Sequence, residues 1–309
     1  MSKNVVTLFL ISIYFIFTGC KEKTGRSISK IPPAKIAIDT IQIKEIEHEQ
    51  SYQGRFHFIY SSNSIFKKAK KHFSEEELST ILALNRIDIN RMYRVKKLII
   101  PDSIYTNFMN YAPFPSVIAE LVEIKKLIVI SYPIQAFALY ESGRLIVWGP
   151  TSMGKKSSPT PIGLFHTNWK AKKTISTVNE EWILKWYFNI VNLDGISMHE
   201  YELPGYPASH SCIRLREQDA KFIYDWADQW VIENNGRTII ANGTPVIIYG
   251  NYDFDNPPPW YKLENNPNAN KITADSLLKI ITPYYQVIIQ EQSIRDSIAI
   301  TIHKITIPS

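Results

Sequence analysis

Between Lys126 and Ile248 the chain is a succession of short apolar or alternating runs broken by turn residues, a pattern that builds sheet. Leu127 to Ser131, Ala136 to Tyr140 and Leu145 to Gly149 each have the length of a strand. Glu141-Ser142-Gly143-Arg144, between the last two, reads as a turn. One stretch departs from this pattern. In Asp219 to Val231, Phe222, Ile223, Trp226, Ala227 and Trp230 recur at i, i+1, i+4, i+5 and i+8, which predicts a helix burying that face. The expectation is a mainly β unit with a helix set into it.

The flanks read differently. Ser74, with Glu77 three residues on, is a capping box, and Leu78, Ile81, Leu82 and Leu84 follow at helical spacing. After Asn85-Arg86-Ile87-Asp88 comes Val95 to Pro101, a strand candidate, so 51–122 is expected to be a small α/β segment. Beyond 250, Asn256-Pro257-Pro258-Pro259 is a stiff break, and Thr273 to Ile300 predicts a helical C-terminal extension over 251–309. Near the other end, Pro32-Pro33 marks a linker, with a short strand open over the alternating Ile36, Ile38, Ile41 and Ile43.

The chemistry concentrates in Ser209-His210-Ser211-Cys212-Ile213-Arg214-Leu215, preceded by an isolated His199. A thiol attacks as thiolate, and an adjacent imidazole or cation is what makes it available. A buried cysteine acting as a small hydrophobe is the ordinary alternative, but polar and basic neighbours crowd this one. His199, His210 and Cys212 are also three possible zinc ligands, although neither the paired-cysteine nor the His-Glu-x-x-His spacing is present. No cofactor motif is found.

The start of the chain bears on the same cysteine. Lys3 followed by the apolar run Val5 to Phe17 reads as a secretory signal, too short for a good membrane span. Phe17-Thr18-Gly19-Cys20 resembles a bacterial lipobox, with leucine replaced by Phe17. That resemblance implies cleavage after residue 19, lipid on Cys20, a tether over 20–50, and an exported lipoprotein anchored in the bilayer on the periplasmic side. A signal cut elsewhere, or an uncleaved anchor, are the alternatives. With Cys20 lipidated, Cys212 is the only thiol of the mature chain and has no disulfide partner.

Three further motifs carry a resemblance to a family. Thr160-Pro161-Ile162-Gly163-Leu164-Phe165, then Gly195 to His199 with Pro207 to Leu215, then Gly243-Thr244-Pro245-Val246 stand in an order similar to the L,D-transpeptidase catalytic domain, the YkuD family. The resemblance covers about 123–250 and implies a β-sandwich with one or two helices. It also implies a peptidoglycan stem peptide as substrate and a thioester on Cys212. His199 would be the general base and His210 a second site histidine. Backbone N–H groups around Ser211 and Cys212 would form the oxyanion hole, with Arg214, Ser209 and Tyr201 at the substrate and Trp182 lining the cleft. Ser211 stands where the family has glycine, and nine residues separate His199 from Ser209, fewer than is common there. Residues 73–104 resemble a degenerate LysM glycan-binding module without its opening strand.

Hydrolysis in place of transfer stays open, as does a wall-binding lipoprotein without activity. The net charge of +6 is spread along the chain apart from Lys67-Lys68-Ala69-Lys70-Lys71, which reads as a solvated face. No nucleic-acid signature is present.

Overall fold

The computed structural model describes residues 51–176, 179–233 and 236–306; the stretch read as a signal sequence, the expected tether with Cys20 and the Ile36–Ile43 alternation lie outside the described residues. Residues 56–101 form a small module. It runs β1 (Phe56–Tyr60), α1 (Ser64–Lys67), α2 (Ala69–His72), α3 (Glu75–Leu84) and β2 (Lys97–Pro101), with β1 and β2 paired antiparallel. The capping box forms as the sequence predicts, Ser74 accepting from the Glu77 amide and Glu77 from the Ser74 amide. The opening strand, FHFIY, escapes sequence reading because five residues mixing aromatic and exposed positions carry almost no periodic signal.

The central unit is a sandwich of two sheets. Its strands are β3 (Leu127–Ser131), β4 (Ala136–Glu141), β5 (Arg144–Pro150), β6 (Gly163–His166), β7 (Lys170–Ile175), β8 (Ile183–Val191), β9 (Ile196–Glu200) and β10 (Ile213–Leu215). Helix α4 (Glu217–Trp226), the short pair β11 (Val231–Ile232) and β12 (Ile239–Ala241), and β13 (Pro245–Tyr249) follow. One sheet is ordered β5-β4-β3-β13-β6 and the other β10-β9-β8-β7. Ile128, Ile130, Leu139 and Val246 from the first meet Phe188, Met198, Ile213 and Leu215 from the second, with Ala220 and Ile223 of α4 sealing one side.

Two of the sandwich pairings are parallel, β13 with β3 and β10 with β9. A parallel pair needs a crossover of about a dozen residues, and Tyr201–Cys212 is that crossover.

Helix α4 starts two residues earlier than expected and stops at Trp226, so Trp230 is not part of it. Phe222, placed by periodicity on the buried face, is 42% exposed. At the N-terminus of α4, Arg216 pairs with the nearly buried Asp219, an interaction that hydrophobic spacing does not register.

The C-terminal helix α5 (Ala274–Thr306) packs on the sandwich rather than projecting from it. Leu277, Ile281 and Ile288 join Val129, Ala138, Tyr140 and Ile247 on the outer face of the five-stranded sheet, together with Tyr52, Leu84 and Ile99 from the N-terminal region. Strand β3 is therefore buried on both faces, which is why LIVIS is continuously apolar rather than alternating. Trp260, just after the proline run, is buried beneath the Arg86 guanidinium at 4.8 Å. Among the described residues no helix is long and apolar enough to cross a membrane.

Gly243, which opens the Gly-Thr-Pro-Val motif, passes so close to its neighbours that an added Cβ would lie 1.9 Å from the Thr167 carbonyl oxygen and 2.4 Å from that of Asp228. Both obstacles are backbone and cannot swing aside. Gly243→Ala should cost about 2 kcal/mol or more of stability. A denaturant midpoint unchanged from the parent protein would refute this.

Candidate active site

The parallel β9–β10 pair brings the chemistry together. Its register sets Ile213 opposite Met198 and Arg214 opposite His199, so Cys212, one residue ahead of β10, comes beside Ser197. Strand alternation puts Ser197 and His199 on one face and Cys212 and Arg214 on the face beside them. The Cys212 Sγ lies 3.6 Å from the Ser197 hydroxyl and 3.9 Å from the Gly195 carbonyl. Cys212, His199, Tyr201, Trp182, Ser209, His210 and Arg214 line one open cleft, the seven side chains singled out from the sequence.

His199 is 4% exposed. Its Nδ1 is 2.9 Å from the Glu200 carbonyl, which can only accept, so Nδ1 carries the proton and Nε2 is the free base. Burial pushes the pKa down to about 4, the Glu200 carbonyl opposing the shift and the Arg214 cation adding to it. The resting ring is neutral at physiological pH. A buried imidazolium at this position would be costly.

His210 sits on the rim. Its Nε2 accepts from the Lys155 ammonium at 2.8 Å, and its ring lies 5.8 Å from that of Trp182. Its pKa is lowered, by desolvation first and then by Lys155 and Arg214. Among the described residues no three His, Cys, Asp or Glu side chains cluster as metal ligands, so His199, His210 and Cys212 do not assemble into the zinc set considered above.

The half-buried Arg214 donates to the backbone carbonyls of Ala208 at 3.2 Å and Glu202 at 3.5 Å, and its guanidinium stacks 4.5 Å from the centre of the Tyr201 ring. Its partners are carbonyl dipoles and a π face rather than a carboxylate, which leaves its charge available to an anion entering the cleft. Ser209 is placed otherwise than expected. It is 2% exposed, and its hydroxyl donates to the Cys212 carbonyl, so it shapes the turn that presents the thiol.

Ser211 has φ +78°, the left-handed region where glycine is at ease. The glycine of the related motif answers a backbone requirement that serine meets under strain. The turn is held from outside: Thr160 donates to the Ser211 carbonyl at 2.9 Å and accepts from the Gly154 amide at 2.9 Å. The Thr-Pro-x-Gly motif thereby acquires a physical role, with Gly163 supplying φ +135° at the start of β6. Among the described residues no acceptor takes the amides of His210, Ser211 or Cys212, so they remain available as donors at the mouth of the cleft.

Sequence reading missed Ser197, Tyr187 and Asn189. Asn189, opposite Ser197 across the β8–β9 ladder, donates to the Tyr187 hydroxyl, which donates to the Gly195 carbonyl beside the thiol. The Tyr187 ring lies 6.5 Å from that of His199 and 14° from parallel. A signal for Ser197 existed, two residues before His199 on the same strand face. Tyr187 and Asn189 needed the register.

Two outcomes follow. His199 should titrate near pH 4 by imidazole NMR and hold the Nδ1–H tautomer from pH 5 to 8; a midpoint near 6.5 would refute its burial. Between about pH 4 and 6.5 the unfolded chain binds this proton and the folded one does not, so His199 makes stability rise with pH there, by up to about 3 kcal/mol. Ser211→Gly should be neutral to about 1 kcal/mol more stable, relief of strain outweighing added chain entropy. A loss beyond about 1 kcal/mol in chemical unfolding would contradict this.

With this geometry in place, residues 125–248 match the family model of the L,D-transpeptidase catalytic domain. Solved structures similar to the chain include an L,D-transpeptidase from Stackebrandtia nassauensis, 20% identical with a TM-score of 0.34 over 41% of this chain and 57% of that one. The L,D-transpeptidase from Mycobacterium smegmatis is 21% identical with a TM-score of 0.32, over 41% and 59%. L,D-transpeptidase 1 of Mycobacterium tuberculosis is 23% identical with a TM-score of 0.31, over 40% and 62%. The chain thus spans less than two thirds of the length of each. No curated protein matches it.

Proposed function

We propose that the protein is a cysteine acyltransferase of the cell wall, an L,D-transpeptidase acting on peptidoglycan stem peptides. The observation that carries this reading is the Cys212 thiol and a neutral, backbone-oriented imidazole brought together by adjacent strands, in one cleft with an arginine that has no carboxylate partner among the described residues. The match of residues 125–248 to the catalytic domain supports it.

In the first half-reaction Cys212 Sγ bonds to the carbonyl carbon of the stem-peptide amide while its proton passes to His199 Nε2. The tetrahedral oxyanion is received by the amides of His210, Ser211 and Cys212, donors worth about 3 kcal/mol each when well aimed. The Glu200 carbonyl, fixed on Nδ1–H, stabilises the imidazolium that forms transiently. His199 returns the proton to the leaving amine as the C–N bond breaks, leaving a thioester on Cys212. An incoming amine then attacks the thioester carbon and gives up its proton to His199; as the C–S bond breaks, that proton returns to Cys212 Sγ and the acyl group leaves on the amine, whereas water in its place would give a trimmed peptide. Arg214 holds a carboxylate of the peptide, and Tyr201 and Trp182 wall its side chains.

The deciding experiment incubates purified protein with muropeptides and resolves products by mass. Cross-linked dimers are expected. Trimmed monomers would turn the reading to hydrolysis, and an unchanged mixture would refute it. Cys212→Ala should lower the rate by on the order of 10³-fold or more with an unchanged fold, and residual activity near the parent level would clear the thiol of the nucleophile's role.

The proposal extends to location. Lipid on Cys20 would hold the catalytic unit at the membrane facing the wall. The mature N-terminus should carry lipid mass, and Cys20→Ser should release the protein from the membrane fraction.

A further inference from the structure

The crossover between His199 and Cys212 has no regular structure of its own, yet it touches most of the site. Glu200 supplies the carbonyl on His199, Tyr201 the ring under Arg214, and Glu202 and Ala208 the carbonyls that hold the guanidinium. What shapes this loop lies in the N-terminal module. The Asp88 amide donates to the Leu203 carbonyl at 2.9 Å, and the Leu203 amide donates to the Asp88 carboxylate at 2.6 Å. Ile87 and Pro204 form an antiparallel bridge, and the Gly205 amide donates to the Arg86 carbonyl at 2.8 Å. The Arg91 guanidinium grips the Glu202 carboxylate through two nitrogens, Nε at 3.0 Å. Leu203 is fully buried, and Gly205 turns the chain at φ +89°, which a side chain would resist.

These bonds run backbone to backbone and backbone to carboxylate along 86 to 88 against 203 to 205, with the Arg91–Glu202 side-chain pair beside them. They amount to a short strand-like seam rather than a chance contact between two units. The nine residues between His199 and Ser209 take their backbone partners from the surface they lie against, which fixes the loop's conformation.

We infer that the N-terminal module braces from behind the loop that follows His199, and that Asp88 and Arg91 are positioning residues that set Arg214 through this loop. The inference rests on the proposed function only where it concerns peptide turnover. The seam and the arginine it places stand apart from that. In this arrangement the module supports the anion-recognising subsite without lining the cleft, and whatever displaces it displaces Arg214 as well.

The test compares alkylation of Cys212 by iodoacetate, an anion, and iodoacetamide, its neutral counterpart, in the intact protein. The ratio of the two rates reads the Arg214 charge at the thiol. It should exceed that of free cysteine, and Arg214→Met should remove the excess. Asp88→Ala should lower the ratio by about fivefold while leaving the iodoacetamide rate within about twofold, since a charge moves and the nucleophile does not. Asp88→Asn, whose amide oxygen still accepts from Leu203, should restore it. Where muropeptides turn over, Asp88→Ala should raise KM with kcat little changed. A parent-like ratio in Asp88→Ala, or in Arg214→Met, overturns the proposal. Should Asp88→Ala fail to fold, hydrogen exchange of the parent protein decides: amides of Leu203 and Gly205 protected like those of β9 support the seam, and exchange at open-loop rates overturns it. A parent protein with the anion preference but no action on muropeptides would remove the proposed function and leave the seam standing.

Discussion

Everything chemical in this molecule depends on the parallel pairing of β9 with β10. Parallel strands cannot be joined by a tight turn, so the chain must leave the sheet after His199 and return at Cys212. That excursion creates the cleft. It sets the imidazole and the thiol on neighbouring strands, and it leaves between them a loop whose carbonyls have nothing regular to bond. Those carbonyls become the ligands of His199 and Arg214.

The electrostatics of the cleft follow from the same burial. His199 is withdrawn from water and kept neutral, its ring oriented by a backbone carbonyl. Arg214 is charged, half-buried and held by dipoles. Its field opposes a positive ring at His199 and favours an anion in front of the thiol. One cleft thus combines a neutral, buried imidazole with a fixed positive charge held by carbonyl dipoles.

Around this centre the rest of the chain acts as scaffold. The five-stranded sheet is covered on one face by the second sheet and on the other by α5 and residues of the N-terminal region, which makes β3 the most deeply enclosed strand. The module, the sandwich and the C-terminal helix share apolar contacts over that outer face, and the module reaches the catalytic loop through the 86–91 seam. A chain that reads as three segments in sequence is mechanically continuous at the site.

How much of this was legible is a matter of range. The strands from 127 to 149, the capping box at Ser74 and the C-terminal helix were readable because each is a local pattern, settled by alternation, capping chemistry or helical spacing. The thiol, its histidine and Arg214 were readable because polar residues crowd where a strand should be apolar. Other features were not local. Ser209 turned inward because the Cys212 carbonyl needed a donor, α4 began early at Glu217 where Arg216 pairs with Asp219, and β1 was visible only beside β2. The sequence by itself determined which residues are chemically able to act and which segments are strand or helix, since these depend on neighbours a few positions apart. The tertiary structure alone decided that Tyr187 and Asn189 stand behind the thiol, that His199 is neutral, and that Asp88 bonds the loop whose carbonyls hold Arg214. Those depend on burial and register between residues tens to more than a hundred positions apart, which no local pattern encodes.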